Sequence, residues 1–107
     1  MVGRWEGHRR LLEINPDGSG KLVADPPTGV GATEETLQLI DSSGDGGKGT
    51  ITVKVVSSQN ASGDTTGTIY TFEVENGIAS DRGSGSFCNS KLPEYKAEYG
   101  TMPMCGA

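Results

Sequence analysis

Residues Thr50 to Val56 alternate without a break. Ile51, Val53 and Val55 fall on one side of an extended chain, and Thr50, Thr52 and Lys54 on the other. Period-two patterning of this kind marks a half-buried β-strand. The rhythm recurs in short runs. Thr36 to Ile40 puts Leu37 and Leu39 on one face. Thr68 to Glu75 puts Tyr70, Phe72 and Val74 together, with Glu73 and Glu75 opposite. Each run is bounded by Gly, Asp, Asn, Ser or Pro, the residues that supply turns. Asn76-Gly77 marks a two-residue hairpin, because both central residues of a type I′ turn take positive φ. Seventeen glycines in 107 residues fit this repeated punctuation. The chain therefore reads as all-β, one domain over residues 1–107. The expected architecture is a small antiparallel β-barrel or sandwich of about seven or eight short strands.

The boundaries follow from the same signals. Gly3 to Ile14 reads as a first strand with a bulge near Gly7, since Trp5 is out of phase with Leu12 and Ile14. Asn15-Pro16-Asp17-Gly18-Ser19-Gly20 turns the chain into a return strand, Lys21 to Ala24. Pro26-Pro27 stops it, and residues 26–35 read as a loop. Residues 41–49 read as a long hairpin tip, and residues 57–67 as polar and turn-like. Ile78 to Asp81 starts another return strand that resumes at Ser84 to Cys88. Pro93 and Gly100 bracket a short helix at residues 93–99, with Tyr95 and Tyr99 on one face. The same residues also alternate as a strand.

Val2-Gly3-Arg4-Trp5-Glu6-Gly7, then Leu11-Leu12-Glu13-Ile14 and the Pro16-Asp17-Gly18-Ser19-Gly20 turn, resembles the first hairpin of calycin-type barrels. That group includes the lipocalins, the fatty-acid-binding proteins and the avidins. The resemblance covers about the first 25 residues and rests on Gly3 and Trp5. In the group the Gly lets the chain enter the barrel tightly and the Trp plugs one end. The later Thr-Asp-Tyr-type motif is absent, and Arg82 is the one late arginine. The resemblance implies a cavity suited to a small apolar ligand. Its candidate lining is Leu37, Leu39, Ile51, Val53, Val55, Tyr70, Phe72 and Val74, with Leu12 and Ile14 beside them. A filled core is the competing reading of the same residues.

Charge removes one class of partner. Nine basic and 14 acidic residues leave a formal charge of −5, so no cationic footprint exists for a nucleic-acid backbone. The cluster Arg4, His8, Arg9 and Arg10 reads as a solvated strand face. No apolar run approaches the roughly 18 residues of a membrane span. No signal peptide opens the sequence, and Met1-Val2 fits a start left after a leader was removed.

Catalytic constellations are weak. His8 is the single histidine, and no Gly-x-Ser-x-Gly elbow accompanies it. Glu34-Glu35 reads as loop, and Glu73 with Glu75 as a solvated face, rather than as paired acid–base carboxylates. Asn15/Asp17/Ser19 and Asp41/Ser43/Asp45 match the front half of a calcium loop. The closing acid is Pro26 in one case and Thr52 in the other, so both read as plain turns. No metal site and no cofactor are expected. Asn60-Ala61-Ser62 is a glycosylation sequon that matters only on a eukaryotic secretory route.

Cys88 and Cys105 fit neither a CxxC pair nor a zinc repeat. They read as a disulfide pinning the C-terminal tail, against the competing reading of two buried free thiols. Such a bridge places the protein outside the cell or in the cell envelope, as a secreted or lipoprotein domain. The expected function is a non-catalytic binding module for a small apolar ligand. Its rivals are a module that binds or inhibits a secreted protein through exposed Gly/Ser/Asp hairpins, and a small barrel cyclase or isomerase. The unreduced, denatured chain is expected to weigh about 2 Da less than the reduced chain, and reduction to remove roughly 3 kcal/mol of stability. Equal masses and equal melting temperatures would leave the thiols unpaired.

Overall fold

The computed structural model describes residues 2–7, 10–24, 33–60, 63–81, 85–102 and 104–105. Among them run eight strands: β1 (Gly3–Gly7), β2 (Arg10–Ile14), β3 (Ser19–Ala24), β4 (Thr33–Gly44), β5 (Lys48–Asn60), β6 (Ile69–Glu75), β7 (Ile78–Asp81) and β8 (Gly85–Cys88). One helix, α1 (Pro93–Tyr99), follows. Each strand pairs antiparallel with its sequence neighbours, and β8 returns to β1, so the sheet closes into a barrel. This is the barrel member of the barrel-or-sandwich pair, with the short helix at residues 93–99. It is consistent with the small barrel that the calycin resemblance implies.

Several boundaries differ from the sequence reading. Residues 3–14 form a hairpin rather than one bulged strand, with Trp5 opposite Leu12 and Gly7 opposite Arg10. The reversal accounts for the phase of Trp5, because directly opposed residues share a face. Residues 78–88 likewise reverse, and Ile78 lies opposite Cys88. β4 begins at Thr33, so Glu34 and Glu35 are strand residues and not loop. The 41–49 tip shrinks to a turn at residues 45–47, and β5 runs on to Asn60. In both cases the added segments gain ladder partners across the β4–β5 hairpin, which outweigh their turn-like composition. His8, residues 26–32, Ala61-Ser62 of the sequon and Arg82 lie outside the described residues.

Two register shifts bend the long β4–β5 hairpin. Thr36 faces Ser57 but Leu37 faces Val55, and Leu39 faces Val53 but Asp41 faces Thr52. The unpaired residues are Val56 and Ile40, one per strand, and both are exposed. Both continue the outward side of their strand, and the alternation breaks at the next residue, Ser57 or Asp41, which is exposed as well.

The core is one cluster built around Trp5, which is fully buried. Gly3 explains the spacing of the Gly-x-Trp motif. A Cβ on Gly3 would lie 3.0 Å from the Trp5 ring and 3.1 Å from the Asn89 amide nitrogen. The indole therefore lies across bare backbone. Its N–H has no partner among the described residues. Phe72 and Phe87 meet edge-to-face at 5.9 Å, the favoured aromatic geometry.

One end of the barrel is sealed by interlocked turns. Asn76 and Gly77 both have positive φ, 49° and 80°, as the hairpin signal requires. Their N–H groups donate to Gly47 and Gly46 in the neighbouring turn at 2.8 and 2.7 Å. The Asn89 N–H donates in turn to Gly77 at 2.8 Å. α1 lies over these turns, and a Cβ on Gly77 would come within 2.6 Å of Tyr95 Cβ. Tyr95 is buried and its ring meets Tyr99 one turn later at 5.1 Å. Its hydroxyl donates to the Met102 carbonyl and accepts from the Met104 N–H, which folds the tail back on the helix.

Replacing Trp5 by Ala is expected to cost about 3–5 kcal/mol in urea unfolding. Gly3→Ala is expected to cost about 1–3 kcal/mol through overpacking. A loss under about 1 kcal/mol at Trp5 would show that the indole does not organise the core.

Candidate functional site

Three places in the barrel bring chemistry-bearing side chains together. The first is the interior itself. Leu37, Ile51, Val53, Val55, Phe72 and Val74 all point inward and belong to the buried cluster around Trp5. Leu39 and Tyr70 are half-buried and pack against its edge. All eight candidate lining residues thus face the barrel interior.

The second lies where β4 and β6 begin, at the end opposite the interlocked turns. Glu35 is fully buried on the inward face of β4. A buried carboxyl needs hydrogen-bond donors, and two hydroxyls provide them. Tyr70 Oη donates to Oε2 at 2.9 Å and lies 3.2 Å from Oε1. Thr65 Oγ1 donates to Oε2 at 2.5 Å. Burial above all, then the hydrogen bond and charge of Glu35 and the charge of Asp81, push the Tyr70 phenol up to about 12. A shallow opening of about 470 Å³ beside Tyr70 is lined by Ile69, Thr71, Glu73, Ser80 and Asp81. Sequence reading missed this group. Glu35 sits in a polar run, and its partners are 30 and 35 positions away.

The third is a cleft of about 600 Å³ outside the barrel, over the seam between β1 and β8. Gly3, Arg4, Glu6 and Gly7 form one wall. Asn89, Ser90, Lys91 and Leu92, with Tyr95, Thr101 and Met102, line the cleft from the C-terminal segment. The Cys88–Cys105 bridge borders the cleft, with the Cα atoms 5.8 Å apart, so the expected disulfide is present. Arg4 Nε pairs with Glu6 Oε1 at 2.7 Å, and both side chains stay mostly exposed. Asn89 is only 8 % exposed. Its Oδ1 accepts from the Lys91 N–H at 3.3 Å, which fixes the amide orientation. Its Nδ2 then makes no hydrogen bond among the described residues.

The turn aspartates are accounted for locally. Asp17 accepts from the hydroxyl and N–H of Ser19, and these bonds hold its carboxyl below the usual range. Asp45 accepts from the N–H groups of Lys48 and Gly47 with the same effect. Asp64 is held low by Thr66 and Ser58. These are side-chain turns, as the composition implied. Among the described residues no three acidic, His or Cys side chains are grouped to hold a metal, and no helix is long and apolar enough to cross a membrane.

A raised phenol favours the neutral form in the fold. The stability that this contributes is complete below the unfolded value near 10 and is lost as pH climbs through about 12. Ultraviolet titration of the tyrosinates is expected to show one late component that Tyr70→Phe removes and Glu35→Gln moves toward 10. A late component that survives Tyr70→Phe would assign it elsewhere. Comparison with protein-family models, curated proteins and solved structures returned no match, so the functional reading rests on this geometry.

Proposed function

We propose that this chain is a calycin-like, non-catalytic binding module of the extracellular space or cell envelope, and that it takes a small molecule in the seam cleft. The observation that carries this reading is the cleft itself. Its volume of about 600 Å³ falls within the range of small-molecule sites. One wall is strand backbone, and the other is tied to β8 by a covalent bond. Such walls are in place before a ligand arrives, which lowers the ordering cost of binding. The bridge also supports the oxidising compartment, where disulfides persist.

A second reading has its own support. Ile40, Val56 and Ile69 are exposed on three successive strands, β4, β5 and β6. Apolar side chains on a sheet surface suit a protein partner, so a module that binds a secreted protein is the alternative.

Native mass spectrometry of the freshly purified protein is expected to show a non-covalent adduct that denaturation removes. Adding a fragment library to the stripped protein is expected to shift the amide signals of Gly3, Lys91 and Met102 together. Fragments that move only signals around Ile40, Val56 and Ile69 would favour the protein-binding surface. An adduct-free protein whose cleft signals stay fixed would end the small-molecule reading.

A further inference from the structure

We infer that the seam cleft selects organic carboxylates: a carboxylate head held by Asn89 and Lys91, with a short apolar body against Leu92 and Met102. The inference rests on the cleft being a binding site and adds the chemical class of its ligand.

The first observation is an unused donor. Asn89 is more than nine-tenths buried, and polar side chains so placed are almost always fully bonded. Its oxygen is taken by the Lys91 N–H, while its NH₂ makes no bond among the described residues and borders the cleft. Gly3 is the reason that the amide reaches this position, since a Cβ there would crowd Nδ2 at 3.1 Å. A donor that faces a preformed cleft and has no partner among the described residues can be taken up by an acceptor on a ligand.

The second observation is the charge of the lining. Arg4, Lys91 and Glu6 are its charged residues, and Glu6 is already paired with Arg4. The cleft is thus net cationic on a chain of formal charge −5. Ser90 and Thr101 add hydroxyls at the same site. A set made of amide, ammonium and hydroxyl donors matches a carboxylate, which accepts at both oxygens. Leu92 and Met102 add apolar lining for the body of the ligand, and a thioether is a side chain able to adapt to varied shapes.

Three probes of one shape test this on the full, oxidised chain: cyclohexanecarboxylate, cyclohexylmethanol and cyclohexylmethylamine. Each is titrated while amide and side-chain NH₂ signals are followed. The carboxylate is expected to bind about tenfold or more tighter than the other two and to shift the Asn89 NH₂ signal most. Asn89→Asp keeps an acceptor for the Lys91 N–H but replaces the donor with a negative group. It is expected to weaken the carboxylate at least about tenfold. Lys91→Gln, at an exposed side chain, is expected to weaken it by a smaller factor, and it stands in if Asn89→Asp fails to fold. Equal binding of the three probes, or a preference for the amine, would overturn the carboxylate inference and leave the cleft reading intact. No shift at the cleft with any probe up to about 10 mM would overturn both.

Discussion

Among the described residues β1 and β8 share one register pair, Glu6 opposite Cys88, and the barrel closes between these two strands. Every other neighbouring pair of strands shares at least three. Ladder pairing is sparsest here among the described residues, and strand edges of this kind are commonly covered by another segment. The chain supplies the cover from its own end. Cys88 is both a seam residue and one half of the disulfide, so the bridge holds the tail beside the strand pair that closes the barrel. α1 and the segment after it then fold back over the seam and the adjoining turns. What remains between β1 and this cover is the cleft. Its existence is a consequence of how the barrel is closed.

The sealed end shows the same economy. The turns at residues 45–47 and 76–77 satisfy each other's backbone groups, and Asn89 joins them through its own N–H. Glycine at 77 permits both the positive φ and the close approach of Tyr95. The linker that carries Asn89 is therefore fixed on both sides: by its backbone to a turn, and by the disulfide one residue earlier. An amide on so constrained a residue keeps its direction toward the cleft.

Much of the strand pattern was legible in the sequence. Uninterrupted alternation at 50–56 and 68–75 and the Asn76-Gly77 pair each rest on local geometry, and local geometry is what a sequence displays. The reversals after Gly7 and after Asp81 were not legible, because those connections lack a strong turn pair such as Asn-Gly. The inward position of Glu35 was hidden for a different reason. A glutamate beside another glutamate reads as solvent-facing, and only distant Thr65 and Tyr70 make burial affordable. The cleft draws on residues 3–7 and 88–105 at once, so no window of sequence contains it. Its one visible trace was the pair of late cysteines, which showed that the tail was held but not what it covered.

The disulfide also decides how the molecule bears load. A pull applied beyond Cys105 passes through the sulfur bridge straight into β8, leaving the segment between the two cysteines, α1 included, outside the path of force. A pull on residue 2 enters β1. The two strands that receive the tension are the two that close the barrel. Tension between residue 2 and Cys105 therefore falls across the β1–β8 seam.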